Sequence, residues 1–208
     1  MNTGMAYDRW ASQYDTNENK TRDLEGLALR EMLSDIEFSR CLEMGCGTGK
    51  NTGWLLQKAK QVTAVDLSTE MLAIAREKIK DERVDFVQAD MSGEWTFVNS
   101  QYDLVGFSLV LEHIEALGPI IRKANAALHA GGYLYIGELH PFKQYKGSRA
   151  RFDTDTGREV LVCYDHHLSD FSQAAIDCGF QLITLNEYFD EDDRRSIPRI
   201  LALLFRKP

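Results

Sequence analysis

The chain has 208 residues, 44% hydrophobic and 27% charged, enough for one well-buried α/β domain and unlike a disordered protein. Its formal net charge of −8 disfavours nucleic acid as the main partner, because phosphate binding relies on clustered lysines and arginines. No apolar run approaches the roughly 20 residues that span a membrane, and no signal segment begins the chain. Four cysteines lack the paired short spacing of zinc or redox sites, so we expect a cytoplasmic protein with reduced thiols and no bound metal.

Two helices are predicted within residues 1–38. In the first, Tyr7, Trp10 and Tyr14 recur at spacings that place their rings on one side of a helix. The simplest interpretation is an aromatic stripe that packs on the core. The second helix is expected to be scaffold that leads into the first strand.

A glycine-rich turn at Leu42 to Asn51 organises the rest of the chain. A short apolar segment precedes it and Trp54, Leu55 and Leu56 follow it, which is typical of a turn between a buried strand and a helix. Three glycines at alternate positions permit a sharp bend and leave no side chain between the backbone and a ligand. The turn is therefore predicted to bind a ligand.

Two common phosphate-binding loops nearly match this string. A Walker loop requires glycine where Met44 stands and serine or threonine where Asn51 stands, so it is excluded. The dinucleotide fingerprint requires its third glycine at Lys50, one position after Gly49. That second interpretation is weakened but stays open.

The string Leu-Glu-Met-Gly-Cys-Gly-Thr-Gly resembles the first motif of class I S-adenosylmethionine-dependent methyltransferases of small molecules. This resemblance implies an α/β fold: a Rossmann-like, doubly wound, seven-stranded, mostly parallel sheet with an antiparallel last strand. The opening Tyr-Asp-x-x-Ala-x-x-Tyr-Asp is similar to a lid that closes over the cofactor in such enzymes. Residues that the resemblance assigns to the cofactor in these two segments are Tyr14, Glu43, Gly45, Cys46, Gly47 and Gly49.

A second strand is predicted at Gln61 to Asp66, followed by a helix that Ser68 caps. A carboxylate at the carboxyl end of a parallel strand can accept both hydroxyl protons of a ribose. Asp66 is therefore predicted to bind the adenosine part of a cofactor, with Leu67 beside it. This geometry serves a nicotinamide cofactor and a methyl donor equally well.

The third and fourth predicted strands supply the remaining cofactor residues. In the family that the chain resembles, an acid after the third strand accepts from the adenine amino group, and the next residue packs on the ring. Asp90 and Met91 match those positions. Tyr-Asp-Leu-Val followed by Leu-Glu-His-Ile is similar to the fourth-strand motif, which places Phe107 and Ser108 near the methionine part of the donor.

Two histidines are candidate bases. His113 follows the fourth strand, where a structural role at the start of a helix is expected. That helix is predicted to continue to Gly131 and Gly132, which stop it. His140 leaves the carboxyl end of the fifth strand, the edge that faces the ligand in an open parallel sheet, and is predicted to be the catalytic base.

The segment 142–167 interrupts the alternation of strands and helices and is predicted to be a substrate cap. Two late strands, near Phe180 to Tyr188 and Ile200 to Phe205, can pair antiparallel because only a loop joins them. No linker or repeat divides residues 1–208, which are expected to form a single domain. No feature of the sequence favours one oligomeric state.

The sequence thus predicts S-adenosylmethionine-dependent methyl transfer to the N, O or C atom of a small-molecule acceptor. Methyl transfer from a sulfonium is a displacement in which the positive charge of the donor disappears. The main tasks of the protein are therefore to position the two reactants and to exclude water. Two alternatives remain, namely a nicotinamide-dependent oxidoreductase and a non-catalytic protein that binds S-adenosylmethionine. The oxidoreductase alternative leaves Asp90 and Met91 without a role.

Overall fold

The computed structural model describes residues 3–154 and 157–208. Its helices are α1 Thr3–Tyr14, α2 Lys20–Met32, α3 Thr52–Lys58, α4 Thr69–Lys78, α5 Leu117–Ala127, α6 Pro141–Tyr145 and α7 Leu168–Asp177, with single 3-10 turns at Leu111–His113 and Asp190–Asp192. Its strands are β1 Arg40–Met44, β2 Gln61–Asp66, β3 Val84–Gln88, β4 Tyr102–Ser108, β5 Leu128–Leu139, β6 Arg151–Thr154, β7 Gly157–Val160, β8 Gln181–Tyr188 and β9 Ile200–Arg206. Within the described ranges, no helix is both long and apolar enough to cross a membrane.

One seven-stranded sheet carries the fold, in the order β3-β2-β1-β4-β5-β9-β8. Strands β1 to β5 pair in parallel, whereas β9 runs antiparallel to both of its neighbours, β5 and β8. The predicted doubly wound sheet with an antiparallel last strand is confirmed. Strand order reverses between β1 and β4, and ligands of such sheets bind beyond the carboxyl ends of the strands at that point.

Helices cover both faces of the sheet because the central strands are apolar on both sides. On β1, Cys41 packs toward α2 and α3, while Leu42 and Met44 pack toward α5 and α7. All three side chains are fully buried. Strands that are buried on both faces have nearly continuous hydrophobic sequences, and they place the sheet at the centre of the core.

One predicted helix start is confirmed, while the helix predicted after β4 is wrong at both ends, since α5 begins only at Leu117. Ser68 caps α4 as expected, since its hydroxyl accepts from the amide of Met71 at 3.1 Å. The helix after β4 was expected to continue to Gly131, but α5 ends at Ala127. Leu128 instead begins β5 and pairs with Tyr102 of β4, because sheet pairing takes the backbone groups that another helical turn would use.

The segment predicted as a substrate cap contains α6, the antiparallel hairpin β6–β7 and an extended stretch that leads into α7. Asp155 and Thr156 of this segment lie outside the described residues, as do Met1 and Asn2 of the predicted lid. In the described part, Tyr164 donates its amide to the carbonyl of Glu112 at 2.8 Å. This bond attaches the segment to the loop after β4, at the ligand edge of the sheet.

Candidate functional site

A cavity of about 680 Å³, here called the first cavity, opens at the carboxyl ends of β1, β2 and β4. It is lined by Thr3, Tyr7, Tyr14, Gly45, Gly47, Asp66, Leu67, Met71, Ala89, Asp90, Met91, Ser92, Ser108, Leu109, Val110, His113, Ile114, Glu115, Ala116, Pro119, Ile120, Val162 and Tyr164. The cavity lies at the topological switch point, where this class of sheet binds ligands. Three separately predicted sets of residues, from the turn, the acidic strand ends and α1, meet there.

The glycine turn forms the floor of the first cavity. Gly45 and Gly47 adopt left-handed φ angles of +75° and +54°, which other residues rarely adopt. A Cβ atom built on Gly45 lies 2.5 Å from Cγ2 of Val110, so the backbone of the turn packs directly against the Val110 side chain in the loop after β4. A Cβ on Gly47 has Cε1 of Tyr14 as its nearest neighbour, at 3.9 Å. The space above Gly47 is therefore open to a ligand.

Asp66 closes one side of the turn. Its two carboxylate oxygens accept from the amides of Gly47, at 2.8 Å, and Ser68, at 2.9 Å. Burial raises the pKa of Asp66, while these amide bonds oppose the rise. Each oxygen retains a lone pair that can accept a ribose hydroxyl. The carboxylate therefore shapes the turn and presents acceptors to the first cavity.

Asp90 and Met91 lie at the far end of the first cavity, beyond β3. Oδ1 of Asp90 accepts from the amide and the hydroxyl of Ser92, at 2.8 and 2.6 Å. No hydrogen bond occupies Oδ2 of Asp90 within the described residues, so that atom can accept from a ligand. Met91 offers an apolar surface next to it, which suits an aromatic base with an exocyclic amino group.

Helix α1 forms the opposite wall. Tyr7 stacks on Trp10 with ring centroids 5.7 Å apart, and Tyr14 meets Trp10 edge-on at 4.9 Å. Asp8 anchors the helix to the body of the protein, because its carboxylate accepts from the hydroxyl of Ser68 at 2.6 Å. The predicted aromatic stripe is confirmed, and it faces a cavity as well as the core.

Four residues assigned to the cofactor do not line the first cavity. The carboxyl of Glu43 lies beneath the turn, where the hydroxyl of Thr52 donates to it at 2.5 Å and burial raises its pKa to about 8. Cys46 and Phe107 are buried in the two core clusters. A Cβ on Gly49 would lie 2.9 Å from Ile79. These residues hold the turn and β4 in place from below.

His140 also lies outside the first cavity. Its side chain caps α6 by accepting from the amide of Phe142 at 3.2 Å, and its Nε2 donates to the carboxylate of Glu187 at 2.9 Å. The side chain is 2% exposed, and burial lowers its pKa. Because both ring nitrogens are engaged, this environment favours a structural role over the predicted catalytic one.

His113, which was expected to be structural, lines the first cavity instead. Its Nδ1 lies 2.8 Å from the carbonyl of Val162, so Nδ1 carries the proton. Nε2 then accepts from the hydroxyl of Tyr7, also at 2.8 Å. Burial raises the pKa of Tyr7, which keeps it a phenol. The Tyr7–His113 pair joins α1 to the loop after β4, and no spacing in the sequence relates these two residues.

The side chains of Glu112, His113 and Cys163 could hold a metal ion, since their ligand atoms lie within 4.8 Å of one another. Burial raises the pKa of Glu112 and raises that of Cys163 to about 12. Metal binding would need the thiolate, the neutral imidazole and the carboxylate. In this structure the imidazole instead bonds to Val162 and Tyr7.

A second cavity of about 390 Å³ lies on the other side of the α1 wall, beyond β4 and β5. It is lined by Tyr7, Trp10, Tyr14, Glu18, Asn19, Lys20, Thr21, Arg22, Leu109, Glu112, Leu139, Ser148, Arg149, Ala150, Arg151 and Arg199. Tyr7, Tyr14 and Leu109 line both cavities. Leu109 adopts a φ of +52°, an uncommon conformation for leucine that is often found at functional sites.

The chain is similar to known proteins in sequence and in fold. Residues 42–136 match the family model of a methyltransferase domain. An uncharacterised methyltransferase of Emericella nidulans is 25% identical over 98% of this chain and 84% of its own length. Malonyl-acyl-carrier-protein O-methyltransferase of Priestia megaterium is 31% identical over 60% of this chain, which spans only 41% of that protein. Among solved structures, the DhpI–SAM–HEP complex has a TM-score of 0.77 at 23% identity, covering 99% of both chains.

The match to the family model covers the glycine turn, Asp66 and Asp90, three features that the fold brings to one cavity. The chain is thus similar in sequence to methyltransferases and in fold to S-adenosylmethionine-dependent methyltransferases.

Proposed function

We propose that this methyltransferase transfers the methyl group of S-adenosylmethionine to a nucleophilic N, O or C atom of a small molecule. The observation that carries the proposal is the convergence of the bare glycine turn, Asp66 and Asp90 along one cavity of about 680 Å³. The bound donor supplies an electrophilic methyl group on a sulfonium. The protein must then orient the two reactants and exclude water.

The residues of the first cavity fit this cofactor. The uncovered backbone at Gly47 leaves room for the donor, and the free lone pairs of Asp66 suit the ribose hydroxyls. Oδ2 of Asp90 can accept from the adenine amino group while Met91 packs on the ring. Ser108 lies at the end of β4, where we assign it to the methionine part.

Glu43, Cys46, Gly49 and Phe107 act indirectly under this proposal, by holding the turn and strand that carry the contacts. Tyr14 closes the cavity, because its ring lies over the glycine turn and under the guanidinium of Arg22, 4.0 Å from the ring centroid. Positioning of this kind supplies effective molarities of about 10⁵ to 10⁸ M in model reactions. A chemical base is needed only if the acceptor must lose a proton.

For an acceptor that must lose a proton, we propose that the Tyr7–His113 pair takes up that proton. The phenol oxygen of Tyr7 can accept from the acceptor, and its own proton can pass to Nε2 of His113, 2.8 Å away. Both residues line the first cavity, whereas His140 lines neither cavity. His113→Asn should therefore lower turnover for hydroxyl or ammonium acceptors and leave donor affinity within about twofold.

Calorimetric titration with S-adenosylmethionine, S-adenosylhomocysteine and NADH tests the assignment of the cavity. We expect micromolar affinity, about 8 kcal/mol of binding free energy, for the first two ligands and no binding of NADH. Binding of NADH alone would refute the proposed role of Asp90 and Met91. Methyl transfer to small-molecule acceptors, followed by mass spectrometry, then tests catalysis.

A further inference from the structure

The charge of the second cavity is opposite to that of the whole protein. Five cationic side chains line it, Lys20, Arg22, Arg149, Arg151 and Arg199. Its acidic residues are Glu18 and Glu112. The chain as a whole carries a formal charge of −8. A cavity with this excess of guanidinium groups attracts and holds oxyanions, since the fork of arginine matches carboxylate and phosphate geometry.

We propose that the second cavity binds the acidic group of the methyl acceptor, a carboxylate, phosphate or phosphonate, through Arg22 and Arg151. This inference rests on the proposed function and specifies the class of acceptor. The acceptor is thereby a small organic acid, anchored by its oxyanion and methylated at another atom or at the acid itself.

Arg22 retains an unused donor. Its Nε is buried and makes no hydrogen bond in the described part of the chain, although its other nitrogens donate to the carbonyls of Tyr14 and Asn17. A buried donor without a partner costs free energy, which an oxyanion ligand would recover. The ring of Tyr14 lies against the guanidinium and fixes its plane.

Arg151 is the second lining guanidinium group without a carboxylate partner among the described residues. It begins strand β6 in the predicted substrate cap, and its guanidinium forms no ion pair with any described residue. Because Arg22 comes from α2 and Arg151 from the cap, an anion between them would join the two sides of the second cavity. A bridging ligand of this kind also excludes water from the reaction.

Arg149 and Arg199 are each paired with a carboxylate, which neutralises part of their positive charge. Arg149 donates to the carboxylate of Asp165 at 2.8 Å, and Arg199 donates to Asp190 at 2.7 Å. Arg199 also donates to the hydroxyl of Thr21 at 3.0 Å. These bonds hold the rim of the second cavity. Lys20 pairs with Glu191 at 4.0 Å. Among the described residues, Arg22 and Arg151 are therefore the two lining guanidinium groups without a carboxylate partner.

The shared wall connects the anion site to the methyl donor. Tyr7, Tyr14 and Leu109 line both cavities, so under this proposal a molecule anchored in the second cavity would reach the donor past these side chains. Glu112 lines the second cavity, and Oε2 of its buried carboxyl has no hydrogen-bond partner among the described residues. Burial raises the pKa of Glu112, which weakens its repulsion of an anion.

Ligand titration of the S-adenosylhomocysteine-saturated protein tests the inference. The probes are benzoate, phenylphosphonate and benzamide, a neutral analogue of benzoate, each followed by nuclear magnetic resonance of the ligand. We expect one of the anions to bind at least tenfold more tightly than benzamide. The preference between benzoate and phenylphosphonate identifies the kind of oxyanion.

Arg151→Gln should weaken binding of the preferred anion at least tenfold. Arg195→Gln is the matched control, because it removes the same charge from a side chain that is 92% exposed and outside both cavities. Arg22→Lys keeps the positive charge but removes the Nε donor of the guanidinium. This variant should fold and should bind the anion more weakly. Each variant is also titrated with S-adenosylhomocysteine alone.

Equal affinity for benzamide and both anions, or equal anion affinity in Arg151→Gln and Arg195→Gln, overturns the inference. If S-adenosylhomocysteine still binds in that case, the proposed function stands and only the acceptor class is wrong. If S-adenosylhomocysteine does not bind the wild-type protein, the proposed function itself fails.

Discussion

Replacement of Gly45 by alanine tests whether the turn must be bare backbone. Gly45 has a φ of +75°, and left-handed backbone costs an ordinary residue about 1–2 kcal/mol. The added methyl would also lie 2.5 Å from Cγ2 of Val110. Relief of such an overlap in a packed region typically costs about 1–3 kcal/mol. Together these two costs should lower the unfolding free energy of Gly45→Ala by about 2–5 kcal/mol.

The matched control is Gly53→Ala, eight positions along the chain in α3. Gly53 is exposed, and a Cβ there meets no atom within 4 Å. Because alanine is the better helix former, this change should stabilise the protein by about 0.5–1 kcal/mol. The two substitutions add the same methyl group. Opposite signs of their effects on unfolding free energy would therefore reflect the backbone conformation and the contacts of the turn.

Thermal unfolding followed by circular dichroism measures both effects. For a domain of this size 1 kcal/mol corresponds to about 2–4 °C, so Gly45→Ala should lower Tm by about 4–20 °C. Gly53→Ala should raise Tm by about 1–4 °C. Gly45→Ala should also weaken binding of S-adenosylhomocysteine, measured by calorimetry below the Tm. Similar Tm values for the two variants would refute the reasoning.

Three further predictions concern buried titratable groups. Asp66→Asn should reduce the affinity for S-adenosylhomocysteine about 10- to 100-fold, or about 1.4–2.7 kcal/mol, whereas the exposed Asp85→Asn should not; equal calorimetric affinities would exclude the ribose role. Burial lowers the pKa of His140, so the folded protein binds fewer protons and loses stability as pH falls below histidine's ordinary value of about 6.5. His140→Asn should flatten that dependence in urea unfolding and preserve turnover; loss of turnover in the folded variant would restore the catalytic role. Glu43, with its pKa raised to about 8, keeps a proton that the unfolded chain releases, so stability should fall as pH rises from about 4.5 to about 8. Glu43→Gln should reduce this slope relative to the exposed Glu82→Gln, and an unchanged slope would contradict the buried proton.

Local chemistry made much of the fold predictable. The glycines of the turn require positive φ angles, and Ser68 is a favoured cap whose hydroxyl accepts the expected amide. Asp66 follows a buried apolar strand, so its place at the sheet edge follows from the direction of that strand. These features depend on residues close in sequence, and periodicity or turn chemistry reveals them.

The two histidines show where such reasoning stops. His140 follows β5 at the ligand edge, yet its ring turns toward Glu187 of the distant strand β8. His113 reaches the first cavity because the loop after β4 positions it against Tyr7 of α1. Strand order and side-chain direction decide both outcomes, and neither is encoded in the spacing along the chain.

The second cavity was equally hidden from the sequence. Arg22 and Arg151 are more than one hundred positions apart and belong to α2 and β6. The sequence placed Arg151 only in the predicted substrate cap, residues 142–167, and assigned no ligand to its charge. The fold brings this part of the cap to α2, so the two distant cations line one cavity.

The position of β9 in the sheet affects how the chain folds during synthesis. Strand β9 is formed after β8 along the chain, yet it lies between β5 and β8, and β8 pairs with no other described strand. A nascent chain that has not yet emerged as far as residue 206 cannot complete the sheet, and the edge of β5 stays open. Open strand edges pair readily with other chains. Until β9 is available, the edge of β5 is therefore a surface on which unfinished chains can associate.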